Sequence, residues 1–189
     1  TAYANPGTTS TVDANPTAYA ITGGLGVSSP TSAYDDNLGT SASFDYDDVA
    51  GSFEVKTFTT PSSDTILAVD FKMNYEADAG DSGELYRIIY YVGTAGPVVL
   101  LDWTGAAHSA ATVTWAGQSE PNDGTWSWTD ISSIRFVVET PGVGGGKAAV
   151  FDEYEAWVTV TTYSYTKGTI SVSPASLTDP GSPFTVDID

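Results

Sequence analysis

The sequence predicts an all-β protein, a jelly-roll β-sandwich of two antiparallel sheets with extended segments at both ends. Three observations lead there. Apolar and polar residues alternate with a period of two through strand-length stretches from about residue 41 to residue 162. Turn formers separate these stretches at residues 78–83, 93–96, 121–124 and 141–146. No stretch has helical periodicity, and Val, Thr and Tyr stand where a helix would want Leu, Glu and Lys. Many short strands at regular spacing are the pattern of a two-sheet sandwich.

Residues 1–30 read as an extended N-terminal arm rich in Pro, Gly, Thr and Ala, with Tyr3, Tyr19 and Ile21 as isolated apolar points. Ala4-Asn5-Pro6 and Ala14-Asn15-Pro16 each suggest a turn. The arm is either a linker or an edge strand lying along a sheet. Residues 31–165 form the sandwich domain. Within it, residues 52–59 set Phe53, Val55 and Thr57 against Glu54, Lys56 and Phe58. Residues 65–75 place Leu67, Val69, Phe71, Met73 and Tyr75 on one face, opposite Asp70, Lys72 and Asn74, so that one face packs on a core and the other meets water. Residues 84–92 turn apolar on both faces at Ile88-Ile89-Tyr90-Tyr91-Val92, as a doubly covered central strand does. Residues 97–103 and 111–115 read as a pair joined by the small-residue loop through His108. Residues 133–139 repeat the alternation with Ile134, Phe136 and Val138. Residues 150–162 read as a long closing strand with Val150, Asp152, Tyr154, Ala156, Val158, Val160 and Thr162 on one face.

Beyond that strand lies a tail, residues 166–189. It holds two more strand-like pieces, residues 169–173 and 183–189, split by a Pro/Gly-rich link. The second alternates Phe184, Val186 and Ile188 with Thr185, Asp187 and Asp189. An apolar half-strand invites another chain to pair with it. The tail is therefore expected either to open a further module or to find its partner in a neighbouring subunit.

Composition narrows the functions. The 189 residues contain 24 acidic and 6 basic side chains, a net charge of −18, which argues against nucleic acid and anionic lipid as partners. Such a surface repels itself unless something screens it. Calcium is one candidate, since clustered carboxylates suit it, and an acidic surface that simply keeps an extracellular protein soluble is the other. With no cysteine, disulfides, thiol catalysis and thiolate metal sites are excluded. No apolar run is long enough to cross a membrane, and the start at Thr1 without Met is expected of a processed mature end.

Two clusters carry candidate chemistry. In Ala33-Tyr34-Asp35-Asp36-Asn37-Leu38-Gly39-Thr40-Ser41-Ala42-Ser43-Phe44, carboxylates, a carboxamide and a hydroxyl fall close together around a turn-forming Gly, and with intervening carbonyls they can supply the six to eight oxygens, roughly, that calcium prefers. An Asp/Asn turn without metal is the plainer alternative. The segment resembles the A-x-D-x-N-x-x-T-x-x-x-[WF] calcium loop of galactose-binding-like jelly rolls, the discoidin and carbohydrate-binding-module group. Phe151-Asp152-Glu153-Tyr154-Glu155-Ala156-Trp157 is similar to that group's closing strand. The resemblance implies Asp35, Asn37 and Thr40 as loop ligands of a structural calcium ion and Glu153 as the distal one; Asp36 stands where the family often has a small residue and joins the candidate set. The second cluster is Glu120-Pro121-Asn122-Asp123-Gly124-Thr125-Trp126-Ser127-Trp128-Thr129-Asp130. Asn122, Asp123 and Asp130 can hold another calcium ion, and on a strand Trp126 and Trp128 share a face and can stack on sugar rings. A turn followed by a buried Trp pair is the alternative.

Enzymatic readings find little support. The single His108 has no Ser or Asp partner at a recognisable spacing, and Gly142-Val143-Gly144-Gly145-Gly146 lacks the strand-before, helix-after context of a phosphate loop. The tail, Ile170-Ser171-Val172-Ser173-Pro174-Ala175-Ser176-Leu177 followed by Gly181-Ser182-Pro183-Phe184-Thr185-Val186, resembles the opening strands of a cohesin-like or Ig-like extracellular module. Together the resemblances imply an archaeal or bacterial cell-surface jelly-roll protein. The expected function is that of a non-enzymatic structural subunit of an extracellular filament or surface layer. Copies would join head to tail by β-strand addition through Ile170, Val172, Phe184, Val186 and Ile188, with the Pro-interrupted N-terminal arm as the alternative donor and calcium as a structural cofactor. The alternative is a carbohydrate-binding module of a larger secreted protein, with Trp103, Trp115, Trp126 or Trp128 as the stacking surface.

Overall fold

The computed structural model describes residues 7–46, 49–81, 83–142 and 149–165. These residues form a β-sandwich of two antiparallel five-stranded sheets. The strands are β1 (Thr8–Ala14), β2 (Pro16–Thr22), β3 (Ala42–Asp45), β4 (Gly51–Phe58), β5 (Thr65–Ala77), β6 (Tyr86–Val92), β7 (Ala95–Thr104), β8 (His108–Trp115), β9 (Ile134–Thr140) and β10 (Val150–Ser164). A 3-10 turn covers Pro30–Ala33, and one short helix, α1, covers Trp128–Ser132. The first sheet runs β1-β10-β5-β8, with β3 also paired to β10; the second runs β2-β4-β9-β6-β7. The chain crosses between sheets repeatedly, as a jelly roll does, and β6-β7 is a hairpin within the second sheet.

The alternation in the sequence puts Phe53, Val55, Val69, Phe71, Met73, Tyr75, Ile88, Tyr90, Ile134, Phe136 and Val138 into one core between the sheets. Aromatic rings run through it. Phe71 stacks on Tyr90 at 4.2 Å and meets Phe136 edge-on at 5.3 Å, while Phe151 stacks on Tyr75 at 5.1 Å. Each such pair contributes about 0.5–1.5 kcal/mol beyond the area it buries.

Strict alternation misplaces residues wherever a strand slips by one. In β10 the register against β5 shifts between Glu153 and Glu155. Phe151 and Glu153 are therefore buried before the shift, and Ala156, Val158, Val160 and Thr162 after it, so Val150, Asp152 and Tyr154 do not share the inner face expected of them. A second shift between Thr161 and Thr162 passes over Leu67 in β5, leaving that side chain 57% exposed while Ile66 packs on the core. In β4, Thr57 takes a positive φ of 60°, and Phe58 turns inward in its place. One extra or turned residue exchanges the two faces of everything beyond it.

Two other expectations change. Residues 97–103 and 111–115 do not pair: β7 ends the second sheet and β8 ends the first, with residues 105–107 crossing between them. The partner of β7 is β6. The N-terminal arm supplies two edge strands, β1 on β10 and β2 on β4, and crosses from one sheet to the other at Asn15, whose N–H donates to the Thr59 hydroxyl.

Candidate functional site

The first acidic cluster lies at a corner of the sandwich where the 3-10 turn and the loop after it pack against β10. Ser32 and Ala33 are buried there, and residues 34–41 pass over the outer face of β10 before entering β3. The loop is knitted by its own side chains. The Asp35 carboxylate accepts the Asn37 N–H at 3.1 Å and the Thr40 hydroxyl at 2.9 Å, and the Asn37 amide oxygen accepts the Gly39 N–H at 3.0 Å. This is how Asp and Asn form side-chain-stabilised turns. Asp36 adopts a φ of 59°, and its N–H donates to the carboxylate of Glu155 at 3.0 Å.

The carboxylate that meets the loop is thus Glu155, two residues beyond the implied Glu153. The bulge between them separates their roles. Glu155 turns outward under the loop, 7% exposed, and burial together with the charges of Asp36 and Asp35 raises it to about 7. Glu153, opposite Tyr75 and Ala42, is 1% exposed, and its Oε1 is buried with no hydrogen-bond partner. Burial, and then the charge on Glu155, push its carboxyl well above the usual range. Burial and like charge thus favour the protonated form of both carboxyls. Among the described residues, no three His, Cys, Asp or Glu side chains converge as a metal cage. The Asp35, Asn37 and Thr40 side chains implied as ligands are engaged within the loop itself, and the carboxylate that meets the loop is that of Glu155.

Beside Glu155, a recess of about 250 Å³ opens on the surface, lined by Asp13, Asn15, Asp36, Leu38, Glu155 and Trp157. The sequence pattern did not bring these residues together. Asp13 and Asn15 reach the site only because β1 pairs with the far half of β10, and Trp157 shares the outer face with Glu155 only after the bulge. The spacing Glu155-x-Trp157 within a strand was the one local signal available.

The second cluster is a structural turn. Glu120, 3% exposed, accepts N–H groups from Asn122 at 2.8 Å, Asp123 at 2.7 Å and Gly124 at 3.3 Å, and the Asn122 side-chain amide as well. These bonds hold its carboxyl below the usual range against the opposing effect of burial. Asp123 accepts the Thr125 N–H, and Asp130 forms a capping box with Ser127 at the start of α1. Asp123 and Asp130, expected to hold a second calcium ion, are thus turned onto local donors, while the Asn122 amide is itself a donor to Glu120. Trp126 lies in a loop and Trp128 opens a helix, so the two do not share a strand face. Each indole packs against the core, Trp126 donating to the Gln118 carbonyl and Trp128 to that of Asp64. The motif Ser127-x-x-Asp130 was the missed sign of this helix.

His108 stacks on Tyr75 at 4.1 Å, with Nδ1 3.2 Å from the Tyr75 carbonyl oxygen. The tail residues Ile170, Val172, Phe184, Val186 and Ile188 lie outside the described residues. Among the described residues, Lys56, Arg87 and Arg135 lie on the outer face of the second sheet, and Lys72 lies on the first, over the Trp157 ring. Arg87 pairs with Glu139 at 2.6 Å and covers Trp103, while Arg135 and Lys56 both pair with Glu54. No protein-family model matches the chain, and no curated protein matches it.

Proposed function

We propose that the chain is a structural subunit of an extracellular filament or surface assembly, joined to its neighbours by β-strand addition through residues 166–189 and stabilised by calcium at the Glu153–Glu155 corner. One observation carries this reading. The closing strand β10 is paired along both sides, with β5 on one and with β1 and β3 on the other. Both sides of β10 are thus taken by other strands, so the alternating tail has no open place beside the strand it follows. Main-chain hydrogen bonds would supply its affinity for another sheet, and Phe184, Val186 and Ile188 its specificity. Head-to-tail donation of this kind propagates as a fibre. Sedimentation velocity of the 189-residue chain against one ending at Tyr165 tests the proposal. Large assemblies from the first and monomers from the second are expected; equal behaviour would refute it.

The second reading, a carbohydrate-binding module, is favoured by the recess beside Trp157, where an aromatic ring meets the planar polar groups of Asp13, Asn15 and Glu155. A glycan panel read by tryptophan fluorescence, with Trp157→Ala as control, distinguishes it. Binding that survives Trp157→Ala would place any sugar site elsewhere.

A further inference from the structure

We infer that the acceptor for the tail strand is the edge of β8, His108–Trp115, and that the donor, residues 183–189, comes from a second copy of the chain. This rests on the strand-addition reading above and adds the surface where the strand lands.

Each sheet has two edges, and they are not alike. β1 and β2 are consecutive pieces of one arm crossing between the sheets, with Ala14 and Pro16 buried at the crossing. Both remain edge strands, but β1 carries Asp13 and β2 opens on Pro16. β7 is irregular: its register against β6 shifts three times, Pro97 within it has no N–H to offer, and it carries Asp102. Proline, irregular pairing and charge are the devices by which proteins protect a sheet edge.

β8 has few of these protections. Its sequence His-Ser-Ala-Ala-Thr-Val-Thr-Trp holds no proline, lysine or carboxylate. It runs in unbroken register with β5 from Phe71↔Trp115 to Tyr75↔Ala111. Among the described residues no strand pairs with its far side. Directly opposite residues share a face, so Ala111, Val113 and Trp115 point inward with Tyr75, Met73 and Phe71. They do not fill the space there, since Val113 and Trp115 are only half-buried and Ala111 is exposed. Across the opening, Val98, Leu100 and Leu101 of β7 are likewise only partly buried against the core.

A strand added to β8 would place alternate side chains into this opening, over Ala111, Val113 and Trp115. Residues 183–189 present such a row in Phe184, Val186 and Ile188, and the small Ala111 leaves room for the largest of them. Charge agrees. The donor carries Asp187 and Asp189 in a chain of net charge −18, and β8 is an edge without a carboxylate to repel them.

The test uses the absence of cysteine from the chain. One chain carries Thr185→Cys, which faces away from the apolar row. A second chain, distinguishable by mass, carries Ala110→Cys, Thr112→Cys or Thr114→Cys on the outward face of β8. A control chain carries Ala18→Cys on the β2 edge. The chains are mixed and oxidised. A disulfide needs Cα atoms roughly 4.4–6.8 Å apart, so only true neighbours join. Covalent heterodimers are expected with one or more β8 positions and not with the control. In parallel, Val113→Lys, with folding checked by near-UV circular dichroism, is expected to abolish assembly. If Ala18→Cys joins instead, or Val113→Lys folds and still assembles, the β8 assignment falls while strand addition stands. If both cysteines placed in one chain join only within that chain, the second-copy donor is overturned. If the chain neither assembles nor cross-links, both the assignment and the reading beneath it fall.

Discussion

Replacing Glu155 by Gln is expected to stabilise the metal-free protein at pH 8 and to leave it nearly unchanged at pH 4. Glu155 is 7% exposed, and burial and the neighbouring Asp36 and Asp35 lift its carboxyl from 4.5 to about 7. A carboxyl that binds its proton more tightly in the folded state favours folding while both states are protonated. That contribution is complete below about pH 4.5, is lost as the pH climbs towards 7, and stays lost above it. The difference between 4.5 and about 7, at about 1.4 kcal/mol for each tenfold change, corresponds to about 3 kcal/mol. Solvent at the rim of the recess screens part of this, leaving about 2 kcal/mol. Gln removes the charge and keeps an oxygen for the Asp36 N–H. The assay is urea unfolding in a chelator at pH 4, 6 and 8, followed by tryptophan fluorescence. The wild-type midpoint should fall relative to that of the variant as the pH rises, with the variant ahead at pH 8. A gap that does not change with pH, or a variant less stable at pH 8, would refute the electrostatic reasoning.

Calcium should raise the unfolding midpoint of the wild type at pH 8, by about 2.7 kcal/mol at a concentration a hundred times the dissociation constant, and a chelator should reverse it. Glu153→Gln should remove most of that response while the sandwich stays folded, as measured by circular dichroism and thermal unfolding with and without the ion. Glu120→Ala removes the acceptor for three backbone N–H groups of an exposed turn, which water can satisfy in part. At about 1 kcal/mol each, a loss near 3 kcal/mol is expected in denaturant titration, with no change in calcium response. Because the Glu120 carboxyl is held below its usual range, its stabilising contribution is present above about pH 4.5 and is lost as the pH falls through the lowered value. The wild-type advantage over Glu120→Ala should therefore shrink in acid.

Period-two alternation marked the strands and their class, since each β-strand buries every second residue. It failed at particular residues for one physical reason. The bulge at Glu153/Glu155, the skipped Leu67 and the positive φ of Thr57 each exchange inner and outer faces part-way along a strand. A bulge is a property of two strands in register, so the sequence of one strand does not show it. The candidate corner suffered from the same blindness. The Asp35–Thr40 turn was legible because its groups are neighbours in sequence. The step that aims Glu155 at the loop and buries Glu153 was not, nor was the pairing of β1 with β10 that brings Asp13 and Asn15 to the recess. The Trp126–Trp128 pair was misjudged in geometry because Ser127 and Asp130 cap a helix there.

Negative-stain electron microscopy of the purified 189-residue chain in calcium, beside the chain ending at Tyr165, tests the central claim most directly. Unbranched fibres with a regular axial repeat are expected from the first and single particles from the second. Single particles from both, or fibres from both, would contradict a subunit joined to its neighbours through residues 166–189.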